Sequence, residues 1–250
     1  MKKERIFLST IDPEAQDLAR AYGLGLEIAE FCTAWNMDRD FPQTDALVRQ
    51  KLAGISRRVL HGPFNELFPC AIDPKARALA AERFHQAAAL AQAYGAERMV
   101  LHGGFNPWLY YEPWYVSQST DFWRNFSVPE GLTICVENVM ETKPELLLSI
   151  LEQAENPGLG LCLDVGHVNA YSGQSPMEWV RTCAGWIRHV HIHNNFGDAD
   201  SHNGLNQGTI PMEALLEELD RLCPQATVTL EVPQARESVL WLKQCRIWEE

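Results

Sequence analysis

Residues 188–210, RHVHIHNNFGDADSHNGLNQGTI, open with histidine and aliphatic residues in strict alternation: His189, Val190, His191, Ile192, His193. A period of two places these imidazoles on one face of a β-strand. A polar, glycine-containing loop follows and carries Asp200 and His202 as a D-x-H pair. A strand that brings imidazoles to its C-terminal end, then a loop with another carboxylate and imidazole, is a way to build a divalent-metal site. One histidine in such a run is more often a hydrogen-bonded core residue. The choice between the two readings depends on what the rest of the chain supplies at similar places.

Outward from this stretch, the same kind of run recurs. Residues 5–9, 25–29, 58–61, 99–102, 132–138, 159–164, 188–193 and 226–232 are apolar and β-rich. Helix-like stretches separate them: 12–22, 45–53, 73–94, 143–154, 175–184, 211–222 and 235–248. The clearest is 73–94, where Asp73 is placed to cap, Pro74 suits the first helical position and Gly95 ends the pattern. Strand and helix alternate with no composition break, so residues 1–250 read as one α/β domain with a parallel sheet. That sheet is either open and doubly wound or closed into a (β/α)8 TIM barrel. Eight units favour closure, and no G-x-G-x-x-G follows the first strand.

Composition narrows the partners. The apolar and charged fractions, 46% and 22%, are those of a globular protein, and no run approaches the ~20 apolar residues of a membrane span. The apolar run of the N-terminus, Ile6 to Leu8, fits a first strand better than a signal peptide. Seven scattered cysteines without C-x-x-C spacing read as reduced thiols, which points to the cytoplasm. The net charge of −12 argues against nucleic acid as a partner, because neutralising phosphates dominates that affinity.

Carboxylates and imidazoles gather at the ends of the runs. His61 ends the third and His102 the fourth; Glu137 is near the end of the fifth; Asp164 ends the sixth, with His167 in the next loop. His191 lies on the seventh, Asp200 and His202 follow it, and Glu231 closes the eighth. In a parallel barrel these ends share one face, where active sites are built. Nine candidate ligands from six consecutive units, five of the eight histidines among them, would meet at one mouth. A glutamate within TICVENV or VTLEVP is costly to bury unless paired or metal-bound.

These motifs, GLCLDVGH, VHIHNN, the Asp200/His202 pair, LEVP, HGPF, LHGG and VENV, resemble the xylose isomerase-like TIM-barrel superfamily and, within it, the endonuclease IV (AP endonuclease family 2) ligand pattern. The resemblance implies three metal subsites: His61, His102 and Glu137; then Glu137, Asp164, His191 and Glu231; then His167, Asp200 and His202. The second subsite is also the mononuclear site of sugar isomerases and epimerases in the superfamily. It implies catalysis by Glu137 and Glu231 as base and acid on opposite sides of a sugar or sugar phosphate, with His167 on a substrate oxygen. One to three divalent ions are expected per chain, Zn or Mn first among Mn, Mg, Co and Zn. Against the nuclease pattern, Ser201 stands where an Arg is expected and HGPFNELF lacks the nuclease's Asn; against the epimerases, Gly197 stands where a sugar-binding Arg is expected. The leading expectation is therefore an isomerase or epimerase, and the alternative is a phosphodiester hydrolase with three zinc ions. A non-enzymatic sugar-binding barrel fits less well, since no ligand position is lost.

Other residues carry two readings. Phe105, Trp108, Tyr110, Tyr111, Trp114 and Tyr115 form either a lid over a sugar ring or an apolar cap, the latter against neighbouring loops or a second subunit of a homo-oligomer. Trp35 can face the same mouth, and Arg39, Lys143 and Arg236 can reach a phosphate or carboxylate or be ordinary surface charges. Glu27 points either into the barrel or to a helix. His189 and His193 read as structural residues, one packed low in the barrel and the other hydrogen-bonded near its rim, and His85 as a surface residue of the long helix.

Overall fold

In the computed structural model, which describes residues 1–248, eight parallel strands close on themselves in sequence order, β1 pairing with both β2 and β8. They are β1 (Ile6–Ser9), β2 (Gly25–Ile28), β3 (Arg58–His61), β4 (Arg98–His102), β5 (Thr133–Glu137), β6 (Leu159–Asp164), β7 (Ile187–Ile192) and β8 (Thr227–Leu230). Each is four to six residues long, and nearly every position is buried, as expected of strands covered on both faces. The two faces differ in chemistry. Leu8, Leu26, Leu60, Leu101, Val136, Leu163, Val190 and Leu230 join the large apolar core under the helices. The alternate set points into the barrel: a small apolar floor of Phe7, Val59, Val100, Cys135 and Cys162, and polar groups above it. Gly25 leaves room for that floor, since a Cβ there would meet the Phe7 ring at 2.3 Å.

The helices are α1 (Ala15–Tyr22), α2 (Ala34–Met37), α3 (Phe41–Leu52), α4 (Pro74–Ala93), α5 (Glu112–Asn125), α6 (Glu145–Ala154), α7 (Val165–Tyr171), α8 (Pro176–Cys183), α9 (Met212–Leu222) and α10 (Ala235–Gln244). The Asp73 side chain accepts from Lys75 N at the start of α4, and Ser175 with Glu178 forms a capping box on α8. Leu146, Leu147, Ile150, Leu151 and Ala154 give α6 its buried face. No helix of the described residues is long and apolar enough to cross a membrane.

Three helices depart from the sequence reading. The aromatic stretch of Phe105 to Tyr115, which lies outside the helix-like stretches read from sequence, is a short turn followed by α5, whose Pro113 sits in the first turn. Aromatic residues are weak helix formers, but here Tyr115, Ser119, Thr120 and Trp123 form a buried face that overrides propensity. The short α2 is a single turn opened by Thr33. The loop expected after Asp164 is α7, because the Asp164 side chain accepts from His167 N and so acts as an N-cap while ending the strand.

Candidate active site

The ladder register puts the strand-end side chains next to one another before any side chain is considered. His102 is level with Glu137, and Asp164 with His191. Glu137 lies at the centre, 1% exposed. Its Oε2 is 3.4 Å from Nε2 of His61 and 3.3 Å from Nε2 of His102, and its Oε1 is 2.8 Å from Nδ1 of His191. The same Nδ1 is 3.2 Å from Glu231 Oε2 and 3.8 Å from Asp164 Oδ2. The Phe64 ring stacks on His102 at 4.3 Å and holds that imidazole in place.

Beneath them, Glu27 faces into the barrel. Its Oε1 is 2.9 Å from His191 Nε2, and its Oε2 accepts from Thr229 Oγ1 at 2.5 Å and from His189 Nε2 at 2.9 Å. His189 is fixed in turn by Thr227 Oγ1 at 2.6 Å. Burial would raise the Glu27 pKa, but His191 and His189 hold it well below the usual carboxylate value. An ionised Glu27 takes the Nε2–H of His191, so Nδ1 is the nitrogen left for a cation between Glu137 and Glu231. Without a metal that is a second proton: burial opposes it, but Cys162, Glu27 and these carboxylates outweigh burial and raise the His191 pKa well above the usual value.

The third group comes from α7 and from the loop after β7. His167 Nε2 and His202 Nε2 lie 3.2 and 3.1 Å from Asp200 Oδ2. His167 Nδ1 is also 3.9 Å from Glu137 Oε1, so this group adjoins the first two. Three asparagines hold it. Asn138 pairs with the backbone of Asp164 through both ends of its amide, and its carbonyl accepts from His167 Nδ1 at 2.8 Å. Asn194 ties the loop to Leu205 and Ile210, and Asn195 donates to Gly166 O.

Whether these residues suit a metal is decided by where their protons can be. His61, His167 and His202 each direct Nδ1 at a main-chain carbonyl, of Gly62, Asn138 and Glu231 respectively, at 2.8 to 2.9 Å. A carbonyl only accepts, so Nδ1 carries the proton, and each neutral ring aims a bare Nε2 lone pair at a carboxylate. Glu137 Oε2 and Asp200 Oδ1 are buried with no hydrogen-bond partner among the described residues. Lone pairs facing carboxylates across 3 to 4 Å call for a cation between them, and nitrogen and oxygen donors of this kind suit Zn or Mn. Without a metal, protons take that role. Burial would lower the His61 and His167 pKa values, but Cys32 and Glu137 at His61, and Asp164 and Asp200 at His167, raise both well above the usual value. Burial also opposes the charge on His202, yet the bond to Asp200 lifts its pKa to about 9. At His102 burial outweighs the pull of Glu137, and the pKa is lowered to about 4.

The nine side chains singled out from sequence are thus brought to one mouth. The groups expected to touch substrate are less concentrated. Trp35, Trp108 and Tyr111 are 63%, 79% and 71% exposed, and Arg39 lies over Trp35. Phe105, Tyr110 and Tyr115 are instead buried, and Trp114 donates to Cys70 O, so this part of the aromatic stretch is the apolar cap and not a lid. Tyr115 hydroxyl donates to Glu141 at 2.5 Å. Lys143 pairs with Glu112 and Arg236 with Glu14. Arg236 borders a cavity of about 620 Å³ beside His202, with Asp12, Ser201 and Gln207 also in its wall. Sequence reasoning missed the asparagines, for which only their place at strand ends was a signal. It left Glu27 open between two faces; its reading of His193 as a hydrogen-bonded structural residue agrees with the Nε2 contact to Asp164 at 3.2 Å.

The chain matches the family described as xylose isomerase-like TIM barrel over residues 18–245. An uncharacterised protein of Methanocaldococcus jannaschii, MJ1311, is 30% identical over 199 residues, 72% of this chain and 66% of that protein; the chain therefore spans just under two thirds of this relative's length. A D-tagatose 3-epimerase-like protein superposes with a TM-score of 0.78 at 22% identity, covering 98% of this chain and 97% of the other. The TTHB071 protein from Thermus thermophilus, in crystals soaked with ZnCl2, superposes with a TM-score of 0.70 at 25% identity over 97% of this chain and 98% of that one.

Proposed function

We propose that this chain, which belongs to the xylose isomerase-like TIM-barrel family, is a metal-dependent isomerase or epimerase of a small sugar or sugar phosphate, acting as one domain. The observation that carries this reading is the pair of carboxylates, Glu137 and Glu231, on Nδ1 of His191 at 2.8 and 3.2 Å. Glu137, Asp164, His191 and Glu231 would hold the principal ion, with His61 and His102 beside Glu137 and with His167, Asp200 and His202 available for others. A divalent ion there supplies Lewis acidity, which acidifies the carbon-bound proton between a carbonyl and its neighbouring hydroxyl. Glu137 and Glu231 remove that proton on one side of the sugar and return one on the other. His167, its Nδ1–H committed to Asn138, turns Nε2 to a substrate oxygen where no third ion sits. The free state of all seven thiols supports a reducing compartment such as the cytoplasm, and the D-tagatose 3-epimerase-like neighbour supports the fold on which such chemistry is carried.

One observation favours a second reading. The third group is fully assembled, and a one-metal isomerase has no need of it. Hydrolysis of a phosphoester by three zinc ions would use it, the third ion stabilising the leaving oxygen. One comparison decides between the two. Protein loaded with Mn or Zn should exchange carbon-bound hydrogen of a ketohexose with deuterium from solvent, followed by NMR, and leave an oligonucleotide with an abasic site intact. Nicking without exchange would replace the isomerase by the hydrolase.

A further inference from the structure

His193 differs from every other imidazole at the mouth. It follows β7 and is fully buried. Its ring lies flat on His202, with centroids 3.9 Å apart and planes 13° apart. Gly166 of α7 packs against its edge so closely that a Cβ there would sit 1.9 Å from His193 Cε1. The ring is clamped, and its two nitrogens face unlike surroundings. Nε2 is 3.2 Å from both carboxylate oxygens of Asp164 and 3.5 Å from Asp200 Oδ1. Nδ1 is buried with no partner among the described residues.

His193, Asp200 and His202 are close enough together to share an ion, so His193 could be taken for a ligand. The proton argues otherwise. A ligating Nε2 needs its lone pair, which moves the ring proton to Nδ1 and leaves a buried donor with nothing to bond. Buried unpaired donors are rarer and more costly than unpaired acceptors. His61, His167 and His202 escape that cost because a main-chain carbonyl takes their Nδ1–H; His193 has none. Resting on the metal-dependent reading above, we infer that His193 is a positioning residue and not a ligand: it keeps its proton on Nε2, donates it to Asp164 and faces Asp200 with the same edge. One clamped ring then fixes the carboxylate of the principal metal group and sets its spacing from that of the third. Asp164 Oδ1 is also held by His167 N at 2.6 Å, so Oδ2 is the oxygen left for an ion. Partners of this kind fix the orientation of metal-binding groups and set their affinity.

The test uses the full chain labelled with 15N-histidine and loaded with cadmium-113. NMR of the wild type, with the His193 ring assigned on 13C,15N-labelled protein through bonds to its own backbone, should show the Nε2–H tautomer and no cadmium coupling at this ring. Calorimetric titration should show cadmium bound about tenfold or more weakly by H193L. H193Q, which keeps an N–H donor, should lose less. A cadmium coupling to His193, or an Nδ1–H tautomer, overturns the inference, and this holds even if both variants fail to fold, because it is read on the wild type. Cooperative melting of H193L with unchanged cadmium affinity also overturns it while leaving the proposed function standing. Wild-type protein that takes up no cadmium, manganese or zinc overturns both.

Discussion

The mouth of the barrel is built in two ways. His61, His102, Glu137, Asp164 and His191 belong to strands, and Glu231 extends the ladder through its N–H to Ile192 O. Their positions follow from sheet register, and Glu137, Asp164 and His191 are sealed from solvent. His167, Asp200 and His202 stand on a short helix and a loop, where no register exists; Asp200 and His202 retain 20% and 29% exposure, and His202 has a left-handed backbone with φ of 48°. In place of a ladder, a single antiparallel bridge between Asn194 and Asn203, the main-chain carbonyl of Asn138 and the side-chain amides of Asn194 and Asn195 do the holding. The first arrangement is ordered at the cost of folding the barrel itself, so its groups wait in place for a ligand. The second depends on that one bridge and a few side-chain hydrogen bonds, each contributing about 0.5–1.5 kcal/mol, and can be weakened alone.

The largest effect should come from the strand-borne half. Glu231→Gln keeps the shape of the side chain but removes its charge and its proton affinity. Turnover of an identified sugar should fall by roughly 10³-fold, within the range for general acid–base groups, while circular dichroism and cooperative melting persist. Near-normal turnover would show that the reaction does not use Glu231.

Metal titration should separate the halves. Ions held by the strand-borne groups should bind first and the His167–Asp200–His202 group should fill last. Asn195→Ala releases Gly166 O and the turn at Gly197. It should weaken only the last ion, by about tenfold, as loss of an outer hydrogen bond usually does. Equal weakening of all ions would mean that the two halves form one unit, and the contrast between them would fail.

The same contrast has a pH signature. His202, with its pKa lifted to about 9, carries a proton in the metal-free protein at neutral pH. A folded-state value above the unfolded one gives stability that is present below pH ~6.5 and is lost as pH rises through about 9. The metal-free protein should therefore lose melting temperature from pH 7 to 9. A metal must expel that proton, so its apparent affinity at the third group should rise with pH across the same interval, by about tenfold per unit for each proton displaced. Titrations in buffers of different ionisation enthalpy count the protons. Affinity that falls over this interval would exclude His202 as a ligand.

What could be read in the sequence follows the same division. A strand end has a period of two before it and a turn after it, so the six strand-borne residues could be placed on one face from pattern alone. His167 looked like a loop residue because DVGH contains a glycine and its helix is only seven residues long; the cap that starts it is Asp164, already assigned to the strand. Glu27 could not be oriented because β2 has only four residues, all buried, so burial on both faces hides the alternation. The asparagines were invisible for a different reason. Their role lies in contacts between residues 11 to 29 positions apart, such as Asn194 with Leu205, Asn138 with Asp164 and Asn195 with Gly166, and local sequence carries no trace of those.

The smallest expected effect lies outside both halves, on the exposed aromatic turn. Its backbone is fixed: Tyr110 N donates to Asn106 O, Trp108 N donates to Asn106 Oδ1, and Phe105 and Tyr110 are anchored in the core. The Trp108 indole is nevertheless 79% exposed. A rigid turn that presents a free indole has already met the ordering cost of a contact, so partial burial of that ring against a sugar face can contribute directly to binding. Burying a large apolar side chain completely is worth about 1.5–3 kcal/mol, and one face covered would give roughly half of that. Trp108→Ala should therefore leave stability within about 0.5 kcal/mol, as for a surface change, leave kcat unchanged, and raise KM by a factor of roughly five. A kcat loss would place the indole in the reaction and not in binding. Unchanged kinetics with a change in molecular mass by light scattering would assign the ring to contact between subunits, and the aromatic turn would then have no part in the site formed by the strands and the loop.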